Sequence, residues 1–209
     1  MVTTYQLYYN EATKEKVSPI ATGIYTAGTV TPLFEAYWLA NTPPPQHGYM
    51  AIISPEFERK TNKQIAAIHD RLSRTNVDVL IPPTAIVSQN NHWYQAEKYH
   101  PGFIPIAGAA LHRAGLIHYI LKPSYTLYSN YFWMREKYWP EYQNELKALI
   151  AAMEEPLFST PCMHRSGSGH TREQLQLATG YHHYTWKPFI CERLIGSFIY
   201  HRKMKVGYF

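Results

Sequence analysis

The period of hydrophobic and polar positions changes several times along this chain, and the changes outline its elements. TTYQLYYN, residues 3–10, is rich in Thr and Tyr and ends on Asn, which predicts a first strand. GYMAIIS (48–54) is a short continuous apolar run of the kind a buried strand carries. VDVLIPP (77–83) predicts a third strand, ended by two prolines. Between these runs the spacing becomes helical. In TPLFEAYWLAN, Thr31 suits a cap and Pro32 the first helical position, with Leu33, Phe34, Tyr37 and Trp38 as the apolar face. TNKQIAAIHDRLSRT places Ile65, Ile68 and Leu72 one turn apart, and NNHWYQAEKYH and FIPIAGAALHRAG read as two further helices. WPEYQNELKALIAAMEE is the clearest helix. Trp139, Tyr142, Leu146, Leu149, Ile150 and Met153 share one face, and Pro140 fits the first turn. YTLYSNYFWM (125–134) alternates as an aromatic strand would, STPCMHRSGSGHTREQ reads as a loop, and KPFICERLIGSFIYHRK (187–203) reads as the last helix. Strands alternating with helices predict an α/β fold: a single domain over 1–209 with a mostly parallel sheet flanked by helices.

Composition narrows the function classes. With 209 residues and 45% hydrophobic residues, the chain is long and apolar enough to bury a core. Its 18 tyrosines suit clefts that stack on rings and hydrogen-bond to hydroxyls. A net charge of +5 favours an anionic partner: a nucleotide, an acidic polymer or a membrane surface. No zinc-finger or aromatic–basic signature is present, so nucleic acid is not the expected partner. The basic tail HRKMKVGYF (201–209), ending on Tyr208 and Phe209, suits contact with an anionic membrane face. Cys162 and Cys191 form no CxxC, and the N-terminus has no apolar leader. A cytoplasmic protein with reduced thiols is the expectation. No run of about 18 apolar residues predicts a membrane span.

Open α/β sheets bind ligands beyond the carboxyl ends of their strands. That rule nominates Tyr9 and Asn10 after the first strand, Ser54, Pro55 and Glu56 after the second, and Pro82 and Pro83 after the third. Lys60 follows closely enough to meet a phosphate. No Walker loop, Rossmann glycine fingerprint, GxSxG elbow or HExxH is present. His164, His170, His182 and His183 match no metal-site spacing. In the last helix, Ile190, Cys191, Leu194, Ile195 and Phe198 share one face. Glu192, Arg193, Gly196 and Ser197 fall on the other, which reads either as a solvated side or as a site. For the site reading, Glu192 in the first turn would be held ionised by the helix dipole, with Gly196 leaving room for a ligand and Arg193 meeting phosphates.

YSNYFWMREKYWPEYQNELKALIAAMEE followed by KPFICERLIGSFI resembles the C-terminal half of bacterial glycosyltransferases that build capsular polysaccharide or lipopolysaccharide. The matching residues are Asn130, Tyr131, Met134, Tyr142, Glu192, Arg193 and Leu194. TPLFEAYWLAN with Glu35, GYMAIISPEFERK, VDVLIPP and SQNNHWYQAEKYH with His100 resemble its N-terminal half. The resemblance implies a GT-A-like domain, a nucleotide-sugar donor and a saccharide or lipid-linked acceptor. It further implies Mg²⁺ or Mn²⁺ with the donor, which such enzymes commonly hold through Asp-x-Asp. Asp70 and Asp78 are the chain's only aspartates, so the motif is missing. Lys, Arg or helix N-termini would then meet the diphosphate. Under this reading Glu192 is the catalytic base or a sugar ligand, Arg193 and Lys60 contact phosphate, and Asn130, a strand-end amide, contacts the acceptor. Tyr128, Tyr131 and Trp133 offer a stacking wall. The alternative is a relative that binds carbohydrate or nucleotide without turnover.

Overall fold

A computed structural model describes residues 1–26, 31–83, 87–88, 92–127, 129–162 and 171–209. A six-stranded sheet has the order β2 (Thr22–Tyr25), β1 (Val2–Tyr8), β3 (Tyr49–Ile53), β7 (Trp133–Arg135), β4 (Val79–Ile81), β8 (Val206–Tyr208). β1 pairs in parallel with β2 and β3, and β4 with β8, while β7 runs antiparallel between β3 and β4. The expected α/β domain is present, but its sheet is mixed. A second, two-stranded ribbon pairs β5 (Val87–Ser88) with β6 (Ser124–Tyr125).

β3 is buried throughout, as its unbroken apolar run predicts, and its side chains alternate between two cores. Met50 and Ile52 join α2 (Glu35–Asn41), α5 (His92–Tyr99), α6 (Phe103–Arg113), α7 (Trp139–Ala152) and α9 (Trp186–His201) on one face. Tyr49, Ala51 and Ile53 meet Phe57 of α3 (Phe57–Thr61) and Ile65, Ile68 and Leu72 of α4 (Ile65–Ser73) on the other. Each fully buried Ile or Phe contributes about 1.5–3 kcal/mol, so the helical stripes read from the sequence are what hold the layers to the sheet. Pro140 occupies the first turn of α7, and buried Gln143 donates to the carbonyls of Leu39 and Thr42, tying α7 to the end of α2.

Several expectations are corrected. α2 starts at Glu35, after a turn, so Thr31 and Pro32 do not open it. The predicted strand 125–134 is two short strands, β6 and β7, because Ser129 between them takes φ +61 and breaks the extended run. Trp133 is core, its indole donating to Thr4 Oγ1, and Tyr131 is buried edge-on to Phe57. Neither ring is an open stacking wall, and Tyr128 lies outside the described residues. The basic tail is not free: Val206–Tyr208 is a sheet strand and Phe209 is buried. Asn10 caps a short helix, α1 (Glu11–Lys14), in a reciprocal capping box with Thr13. Of the loop STPCMHRSGSGHTREQ, His164, the GSG and His170 lie outside the described residues. Its last residues open α8 (Arg172–Thr179) through a Thr171–Gln174 capping box. No helix among the described residues is long and apolar enough to cross a membrane.

Candidate active site

The chain passes from β1 to β2 on one side of β1 and then to β3 on the other. This is a topological switch point, where open sheets leave a crevice at their carboxyl edge. β7 runs against its neighbours, so the residues leading into it, 129–132, arrive at that same edge. Tyr9 follows β1 there, Ser54 follows β3, and Glu35 opens α2. Buried Gln6 accepts from Ser18 N and donates toward the carbonyls of Ser54 and Pro55, fixing the backbone where β3 ends.

Glu192 is the first anchor of the site. Ser129 N donates to its Oε1, and its Oε2 lies 3.7 Å from Arg193 Nη1. Its place in α9 differs from expectation. The helix starts at Trp186, so Glu192 sits in the second turn, beyond the N-terminal dipole. Nor is the opposite face wet. Arg193 is 3% exposed and Ser197 fully buried, because α9 is packed on both sides. Gly196 leaves no room for a ligand: a Cβ there would stand 2.0 Å from the Tyr125 carbonyl oxygen, so the glycine is what lets β6 lie against the helix.

The second anchor, Glu35, served in the sequence only as a landmark of the resemblance. It is partly buried. Loss of water pushes its carboxyl above the usual range. A backbone hydrogen bond to the carboxylate opposes that shift, the Glu192 charge adds to it, and Lys60 opposes it by a smaller amount. The two carboxylates therefore feel each other's charge, with Lys60 as the exposed cation that Glu35 senses and Arg193 as the buried one beside Glu192. Tyr131 Oη and Ser54 Oγ share a hydrogen bond of 2.7 Å. Burial raises the Tyr131 phenol to about 12. Glu35 and Glu192 add to that rise, and hydrogen bonds from Ser54 and Ser129 oppose it. Tyr9 is 45% exposed. Burial of part of its phenol raises its pKa first, then the charge of Glu56, with a smaller contribution from Glu35. Neutral hydroxyls thus surround a carboxylate pair.

Both acids are held by unusual backbone. Phe34, before Glu35, takes φ +49 and ψ −129, and Ser129, the donor to Glu192, takes φ +61. Non-glycine residues in such regions cost on the order of 1–3 kcal/mol each and cluster where geometry is functional.

The structure therefore brings together Glu192, Ser54, Tyr9 and Lys60 of the residues nominated by sequence. Asn130 stands beside them in the chain. It is 7% exposed, and its Oδ1 has no hydrogen-bond partner among the described residues, an acceptor kept dry and unused. Arg193 does not join them. Its guanidinium donates to the Phe189 carbonyl at 2.6 Å, lies 4.9 Å from the centre of the Phe103 ring, and presses into the core. Burial, helped by the Arg193 charge, holds His92 well below its ordinary range. Arg193 is a positioning residue behind Glu192, not an open phosphate contact. His182 and His183 are likewise away from a shared site: His182 is exposed and His183 Nε2 pairs with the Ser159 carbonyl.

No protein-family model, curated protein or solved structure matches the chain. The residues must speak for themselves. Among the described residues no group of three or more His, Cys, Asp or Glu side chains gathers at metal-binding distance. A separate open cleft of about 590 Å³ lies beside Pro55, lined by Lys16, Ser18, Glu56 and Arg59. Its charges are already paired, Glu56 with both Lys16 and Arg59.

Sequence reasoning missed Glu35 as a site residue because it was read as one polar position inside a helix. The usable signal was its register: a carboxylate opening the first helix after the β1–β2 unit must emerge at the carboxyl edge.

Proposed function

We propose that this protein is a glycosyltransferase. It moves a sugar from a nucleotide-sugar donor to a hydroxyl of a polysaccharide or glycolipid acceptor. The observation that carries the reading is the pair Glu35 and Glu192 at the switch-point crevice, one acid held above its usual range by loss of water and the other fixed by a backbone N–H. A carboxylate with a raised pKa is a better base near neutral pH. In the reaction, the acceptor oxygen bonds to the sugar's anomeric carbon as the bond to the phosphate oxygen breaks. Glu35 takes the acceptor proton, and the nucleoside diphosphate leaves with the bond pair. Glu192, oriented by Ser129 N, accepts hydrogen bonds from sugar hydroxyls. Asn130 Oδ1 offers a further acceptor, and Lys60 is the cation available to the leaving diphosphate.

The test begins with a thermal-shift screen against UDP-, GDP-, CMP- and dTDP-sugars, each with and without Mn²⁺ or Mg²⁺. A ligand at about a hundred times its Kd stabilises by roughly 2.7 kcal/mol. A shift with one nucleotide, followed by product that Glu35→Gln abolishes, supports transfer. No shift with any donor removes it.

A second reading, binding of carbohydrate or nucleotide without turnover, is favoured by one observation: Arg193 is packed into the core, which leaves Lys60 with little help in neutralising a diphosphate. A shift with a donor and no product with any acceptor would select it.

A further inference from the structure

A second surface is built where the turn 117–122 meets the end of α9. Residues Ile117–Tyr119 form a 3-10 turn whose inner residues are firmly anchored. Tyr119 is fully buried, donates to Glu145 Oε2 at 2.7 Å, and stacks edge-on to His201 at 4.6 Å; Ile120 is buried beside it. Ile117 and Leu121 point the other way, and Leu121 is 73% exposed. A turn this well tied down does not expose a leucine for want of a core to bury it in.

The rim around those two side chains is cationic and aromatic. Lys122 adjoins Leu121, and its charge reaches both His118 and His201, whose rings lie 5.1 Å apart. Arg202 and Lys203 follow α9, and Lys203 is exposed with φ +49. Arg202 is balanced by Glu141 and Glu145. Lys122 and Lys203 form no ion pair among the described residues. Tyr200 and Tyr208 are exposed, and the Tyr125 and Tyr200 rings lie 6.5 Å apart. Tyr208 ends β8 on the same edge of the sheet as the carboxylate pair.

We infer that this surface docks on an anionic lipid bilayer. Exposed aliphatic tips flanked by long cations and tyrosines match the layering of a membrane interface, where alkyl tips enter the acyl boundary, phenols sit at headgroup level and lysines reach phosphates. A protein partner fits less well, because lysine is depleted in protein–protein interfaces. A second copy of this chain would set Lys122 and Lys203 against their own equivalents. The contact is made by a folded turn and a helix end, not by a loose basic tail.

The experiment is vesicle flotation of the full chain, with vesicles of phosphatidylcholine alone and of two parts phosphatidylcholine to one part phosphatidylglycerol. Binding is expected to the anionic vesicles and to fall with salt. Lys122→Gln should weaken it about fivefold, Lys203→Gln similarly, and Leu121→Ser about tenfold or more. All three positions are exposed, so circular dichroism and Tm should match the parent. Equal binding to both vesicle types, binding to neither, or variants that bind like the parent would each overturn the proposal. So would a concentration-dependent dimer in sedimentation velocity that Leu121→Ser abolishes.

Discussion

Glu35 and Glu56 stand on the same edge of the same sheet, yet their surroundings drive them in opposite directions. Glu56, three residues beyond β3, is met by Lys16 and Arg59, whose hydrogen bonds hold its carboxyl below the usual range. Glu35 has lost water and feels the charge of Glu192; a backbone hydrogen bond to its carboxylate and the charge of Lys60 oppose this without reversing it, so its carboxyl is held above that range. Residue type and location do not distinguish the two acids; compensation does. A carboxylate already satisfied by fixed cations has little reason to take a proton from a substrate, whereas one left uncompensated does.

The sharpest way to break the comparison is to neutralise each acid in turn. Glu35→Gln should lower kcat of transfer by about 10²–10⁴-fold, the range of a lost general base, while the fold and donor-induced thermal shift persist. Glu56→Gln should leave kcat within about twofold, since general-base losses come only from groups that reach the substrate proton. Equal losses in both variants would show that local charge, not the carboxylate pair, controls the reaction.

A smaller effect tests what holds Glu192 in place. Gly196→Ala puts a Cβ into the Tyr125 carbonyl, so β6 must shift from α9. Overpacking of this kind costs about 1–3 kcal/mol, read as a lower urea midpoint with unchanged slope. An unchanged midpoint would mean that the space beside Gly196 is free, reviving it as a ligand subsite.

Glu35 and Gly196 also show where the sequence was legible. β3, β4, α4 and α7 could be read because a single periodicity decides each, and burial of Ile65, Ile68, Leu72, Leu146 and Leu149 follows it. α9 was misread because a wheel separates polar from apolar positions but not wet from dry. Arg193 and Ser197 are polar and buried, with Ser197 Oγ accepting from the Trp93 indole and Arg193 lying on Phe103. Such partners come from residues about 100 positions away in the chain. The strand 125–134 failed for a local reason: nothing in its aromatic alternation announces the positive φ at Ser129. The strand-end rule places Tyr9 and Ser54 at the carboxyl edge because that placement depends on topology alone. Glu192 came from an argument about a helix start that the helix does not have, so its presence in the crevice rests on Ser129 and the return of β7.

The smallest expected effect is also the one that separates the two acids by sign. Glu56 has a depressed folded pKa, so its ion pairs stabilise the protein above the ordinary carboxylate value near 4.3, and that contribution is lost as pH falls through the folded value. Because Lys16 and Arg59 are well exposed, solvent screening limits it to about 0–1 kcal/mol. Glu35 has a raised folded pKa, so the native state holds its proton more tightly than the unfolded chain does. Its contribution is most favourable below the ordinary carboxylate value and is lost as pH rises through the raised one. Urea unfolding of the parent, Glu35→Gln and Glu56→Gln across pH 3–8 resolves both. The parent's advantage over Glu56→Gln should grow with rising pH, and its standing relative to Glu35→Gln should decline. Slopes of the same sign would mean that Glu35 is as well compensated as Glu56, and the carboxylate pair would lose its claim to be the reactive one.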